Sequence, residues 1–99
     1  MEHIARALLP DTLIASDPEV VGCTLGEGAA LLHLRTNIYY SLNEVGAFIW
    51  DALGEGVPFS SLVARVCSEF RAPADVVERD LARLVQRLDE AGLVQCTLQ

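Results

Sequence analysis

Ile38-Tyr39-Tyr40-Ser41-Leu42-Asn43-Glu44-Val45-Gly46 is where the chain changes its periodicity. Ile38 to Leu42 is rich in β-branched and aromatic side chains, which fit a pleated, half-buried surface and predict a strand. Asn43 then suits a helix N-cap, because its side-chain oxygen can accept from a backbone N–H of the first turn. Glu44 adds a carboxylate where the helix dipole favours negative charge. Before this point the apolar residues come in short bursts broken by glycine and proline; after it they recur at helical spacing.

Working upstream, Val20 to Leu25 reads as a strand entered after Asp17-Pro18, and Gly26-Glu27-Gly28 as a turn. Ala29 to Leu34 is a second strand, and Ile38 to Leu42 is the third. Between them Arg35-Thr36-Asn37 turns the chain, Asn37 being a residue that tolerates the left-handed region. Short loops between successive strands imply an antiparallel meander. Thr12 to Ala15 offers a further short strand.

Downstream, Val45, Phe48, Ile49, Ala52 and Leu53 share one face of a first helix that Gly54 ends. A second helix is expected from Pro58 to Phe70, with Phe59, Leu62, Val63, Val66 and Phe70 inward. Pro73 opens a third, where Val77, Leu81, Leu84, Leu88 and Ala91 alternate at four and three to form a core stripe; Gly92 caps its end. The expected fold is α+β and winged-helix-like: a three-stranded antiparallel sheet followed by three helices, one sheet face buried against them. Residues 1–99 are expected to form one domain.

The chain carries fourteen acids against seven bases, a formal charge of −7, and every base is arginine. Such a surface repels phosphate backbones and anionic lipid, so neither nucleic acid nor membrane is an expected partner. Cys23, Cys67 and Cys96 are odd in number and widely spaced, which points to neither a disulfide framework nor a zinc site. That usage, with no signal peptide and no long apolar run, suits the cytoplasm. The two histidines, His3 and His33, form no ligand pair, and no nucleophile or phosphate-loop motif is present. No catalytic residue, metal ligand or cofactor is therefore expected.

What remains is an edge and a helix. In a meander the third strand is an edge with unpaired N–H and C=O groups, and Ile38 to Leu42 has neither charge nor proline to protect it. Such an edge can accept an extended peptide, and Tyr40, at its centre, is the position where proline is expected to block pairing. The C-terminal tail or a second copy of the chain could equally cover it. On the third helix, Arg79, Arg83 and Arg87 form a basic stripe. Either these arginines pair with Asp75, Glu78, Asp80 and Glu90 on a solvated face, or they rim a peptide groove. In the second case Val76 and Leu84 floor the groove, Arg83 and Arg87 stand on its rim, and Asp80 caps a donor.

From about Ala29 to Gln95 the chain resembles the PqqD-like family of peptide-recognition domains. The resembling blocks run from Leu31 to Gly46, then Ile49-Trp50, Leu53-Gly54-Glu55-Gly56, Val77-Glu78-Arg79-Asp80-Leu81, Leu88 and Ala91-Gly92-Leu93-Val94. The resemblance implies a winged-helix-like fold that binds the leader segment of a ribosomally made precursor peptide, against the third strand and beside the third helix. Ile38, Tyr39, Tyr40, Ser41, Leu42, Val76, Asp80, Arg83, Leu84 and Arg87 are the peptide-binding residues this predicts. The tyrosine-rich run into Leu42-Asn43-Glu44-Val45-Gly46 and the Ile49-Trp50 pair are most similar to stand-alone members from lasso-peptide clusters. There the partner is a leader peptidase, followed by a cyclase. The quinone-synthesis branch, which serves a radical enzyme, differs at Arg35-Thr36-Asn37. The expectation is thus a non-catalytic recognition protein, monomer or weak homodimer, that delivers a leader peptide to a peptidase or other modifying enzyme. A PQQ-synthesis peptide chaperone, a winged-helix DNA binder and a permanent subunit of a larger enzyme are the alternatives.

Overall fold

Asn43 caps the first helix through its side chain, whose Oδ1 accepts from the Gly46 N–H at 2.9 Å. The computed structural model describes residues 8–97, so the expectations placed on the N-terminus and His3 lie outside the described residues. The elements run β1 (Leu13–Ser16), β2 (Val20–Leu25), β3 (Gly28–His33), β4 (Ile38–Leu42), α1 (Glu44–Leu53), β5 (Val57–Pro58), α2 (Phe59–Phe70), α3 (Ala74–Glu90) and β6 (Val94–Thr97).

The meander forms as expected, in the order β2-β3-β4. Its register sets Val20 opposite His33 and Leu25 opposite Gly28, then Ala29 opposite Leu42 and His33 opposite Ile38. Asn37 adopts φ 60°, the left-handed turn its short polar side chain permits. Gly28 is needed for closeness, since a Cβ there would collide with the Leu42 carbonyl oxygen. Directly opposed residues share a face, so Ala29, Leu31 and His33 point inward together with Ile38, Tyr40 and Leu42. Leu31 and His33 are fully covered.

One expectation fell short, because the described residues form two sheets and not one. β1 pairs antiparallel with both β5 and β6, in the order β5-β1-β6. β5 has two residues and β6 four, too few to show a period of two in sequence. This small sheet fastens the start of the described chain to its end, and Ile14 at its centre is fully buried.

The helices pack beneath both sheets around Ile14, Leu31, Ile49, Leu53, Leu62, Val85 and Leu93. Prolines at 58 and 73 stand at the N-caps of α2 and α3, where a missing N–H costs nothing. The buried stripe of α3 is Val77, Leu81, Val85 and Leu88. Val85 thus takes the place expected for Leu84, which is half-buried on the adjoining flank. Spacings of four and three leave that choice open on a helix of 3.6 residues per turn.

Candidate functional site

Among the described residues β4 is an edge strand, and β6 pairs with β1 instead of covering it. Which of its backbone groups face outward follows from one bond. The Leu34 N–H donates to the Glu19 carbonyl at 2.8 Å, and these two residues extend the β2–β3 register. Because hydrogen-bonded and non-bonded pairs alternate, Gly28, Ala30 and Leu32 turn their polar groups to β2, and Ala29, Leu31 and His33 turn theirs to β4. Ile38, Tyr40 and Leu42 are therefore engaged by β3, and Tyr39 and Ser41 present N–H and C=O to the open edge. Proline at Tyr40 would break the sheet from within, so the expectation that placed the blocking substitution there is corrected to Ser41 or Tyr39.

Next to the strand's end lies an apolar groove of about 220 Å³, lined by Val45 and Ile49 of α1, Val66 and Phe70 of α2, Ala72, and Val76, Val77, Asp80, Leu81 and Leu84 of α3. Of the site residues expected on α3, the groove brings together Val76, Asp80 and Leu84. Asp80 is the single charged group among apolar walls. Arg83 and Arg87 are exposed and do not line it. Arg79, Arg83 and Arg87 also form no ion pair among the described residues, so the pairing expected with Asp75, Glu78, Asp80 and Glu90 is absent. Ile38 and Tyr39 are 49% and 73% exposed.

Sequence reasoning missed the α1 and α2 walls of the groove. The signal was Val45, an apolar residue one position after Glu44, which remains 38% exposed. Trp50 belongs elsewhere: half-buried, it lines a separate cavity of about 300 Å³ beneath β2 with Phe48, Phe70 and the carboxylates of Glu27, Glu44, Asp51 and Glu69. Among the described residues no group of histidine, cysteine and acidic side chains could hold a metal ion, and no helix is long and apolar enough to cross a membrane.

An open uncharged edge beside an apolar helical groove defines a class of small domains that take up an extended polypeptide by strand addition. The sequence model of coenzyme PQQ synthesis protein D (PqqD) matches residues 28–94. This chain belongs to the PqqD family. Two solved structures are similar to it. TbiB1 in complex with the TbiA(beta) leader peptide is 32% identical with a TM-score of 0.76, over 82% of this chain and 94% of that one. Lasso peptide synthetase B1 complexed with the leader peptide is 29% identical with a TM-score of 0.72, over 83% of this chain and 96% of that one. No curated protein sequence matches.

Proposed function

We propose that this protein is a non-catalytic recognition element that binds the leader segment of a ribosomally synthesised precursor in lasso-peptide biosynthesis and delivers it to a leader peptidase. The observation that carries this is the edge strand β4 running directly into α1, whose Val45 and Ile49 form walls of the apolar groove. The leader adds as a fourth strand, bonding main chain to main chain at Tyr39 and Ser41. Side chains at alternate leader positions then reach the groove, where Val76 and Leu84 receive apolar groups and Asp80 accepts from one donor. Arg83 and Arg87, exposed on the same helix and without ion-pair partners among the described residues, remain available to leader carboxylates. Both similar structures are complexes with leader peptides, which supports the reading.

Isothermal titration with the TbiA(beta) leader peptide tests it. Binding that survives in wild type and is lost in a folded Ser41→Pro protein is the expected result. Delivery is tested separately: cleavage of a precursor by its leader peptidase should accelerate when this protein is added and stay unchanged with the Ser41→Pro variant. Wild-type protein that binds the leader without accelerating cleavage would sink the delivery step alone.

A further inference from the structure

His33 is 1% exposed, and its Nε2 has no hydrogen-bond partner among the described residues. Its other nitrogen is engaged: Nδ1 accepts from the Arg35 N–H at 3.3 Å, and the His33 carbonyl accepts from the Asn37 N–H at 2.8 Å. The ring thus grips the turn that leads into β4 at one point and its backbone grips it at another. An imidazole that accepts at Nδ1 must be neutral, with its proton on Nε2. That nitrogen faces Gly92, in the turn between α3 and β6, where a Cβ would sit 3.6 Å away.

We infer that His33 is a positioning residue for the peptide-binding edge, and that only its neutral form holds β4 in place to receive a strand. Protonation would set an N–H at Nδ1 against the Arg35 N–H, so the bond is lost and two donors oppose each other. It would also leave a buried cation without a counter-charge, which is costly. The ionisable side chains on the elements around His33 include Asp17 and Glu19 in the turn before β2, Arg35 in the turn before β4, Tyr40 on the same sheet face, and Asp89 and Glu90 at the end of α3, and among the described residues none bonds Nε2. Glu19 is already drawn to Arg35 at 3.7 Å on the exposed side of the turn. Releasing the turn relieves both penalties, and it frees the strand whose outer groups pair with the leader. Acidification therefore loosens the edge before the core.

Amide hydrogen exchange, corrected for the intrinsic effect of pH, tests this without any ligand. Protection from Arg35 to Leu42 should fall about tenfold or more relative to Leu81 and Val85 as pH is lowered. His33→Asn keeps an acceptor near the Nδ1 position and cannot be protonated, so its β4 protection should be flat with pH. His33→Leu, which removes the acceptor, should show the loosened edge at every pH. His3→Asn is the control for the other histidine and should behave as wild type. Titration with the TbiA(beta) leader peptide rests on the function proposed above; there wild-type affinity should weaken about fivefold in acid and His33→Asn affinity should not. Should His33→Leu fail to fold, the wild type and His33→Asn still decide. Protection of β4 that merely tracks the core, or a wild-type slope that persists in His33→Asn, overturns the inference. Failure of leader binding with the exchange result intact overturns the function instead.

Discussion

Among the described residues the meander has two open edges, β2 and β4, and their sequences look alike. Val-Val-Gly-Cys-Thr-Leu and Ile-Tyr-Tyr-Ser-Leu both lack charge and proline. By the same alternation, β2 presents Gly22 and Thr24 outward just as β4 presents Tyr39 and Ser41. What differs is the floor beside each. β4 runs into α1 next to walls of Val45, Val76 and Leu84, with one acid. β2 lies over a cavity whose lining mixes Trp50, Phe48 and Phe70 with four carboxylates, and Glu19 and Glu27 stand just beyond its two ends. An edge supplies affinity without selectivity, whereas a groove beside it selects side chains. Flanking acids instead discourage strand pairing; β2 has Glu19 and Glu27 at both ends, while β4 has Glu44 at one end only. On this contrast β4 is the binding edge and β2 the guarded one.

The largest expected effect sharpens the contrast by removing the pillar beneath β2. Trp50 packs against the core, and a Cβ on Gly22 would lie 3.0 Å from its Nε1. Trp50→Ala should cost about 3 kcal/mol of unfolding free energy in urea, the low end for a tryptophan because this one is half-buried. Leader affinity of the folded fraction should change by less than about twofold, within the noise of a surface change. Stable protein with abolished binding would mean that the β2 side is the site.

The next effect tries to break the contrast directly. Ser41→Pro and Thr24→Pro each delete one outward N–H on an edge strand, where proline is tolerated. Titration with leader should show a loss of about 100-fold or more for Ser41→Pro, roughly 2.7 kcal/mol, and almost none for Thr24→Pro. Equal losses at both edges would erase the distinction drawn here. A smaller effect is expected in the groove itself. Leu84→Gln puts an amide among apolar walls and should weaken binding by about 1.5–2 kcal/mol. Its melting temperature should stay close to wild type, because Leu84 is half-buried and Val85 fills the core.

Most of the β4 side was legible in sequence, and most of the β2 side was not. Ile38 to Leu42, Asn43 and Asn37 each announced a local structure through their own backbone chemistry, and each adopts it. Val76, Asp80 and Leu84 could be grouped because one regular helix fixes their angular relation. The groove's other walls come from Val45, Ile49, Val66 and Phe70, on two helices whose relative placement is set by tertiary packing. The second sheet escaped for a related reason: Val57-Pro58 is a strand only because Leu13 and Ile14 lie beside it. Arg71 shows the limit from the other side, ending α2 at φ 50° where glycine or asparagine would have signalled the stop.

The smallest expected effect concerns the arginines, which lie beyond the groove wall. Arg83 and Arg87 sit one turn apart on α3, exposed and without ion-pair partners among the described residues. Their contribution to binding can only be electrostatic attraction through solvent or rim contacts, since neither touches the groove. Such rim charges act mainly on association and are screened by salt. Arg83→Glu with Arg87→Glu should therefore weaken leader binding about tenfold, near 1.4 kcal/mol, chiefly through a slower on-rate measured by stopped flow. The melting temperature should hardly move, because no native pair is broken. The opposite flank carries Glu78 and Asp89, and reversing those charges should leave binding alone. A loss confined to the Glu78 and Asp89 variant would place the leader's charged residues on the other side of α3, and with them the direction in which the leader leaves the groove.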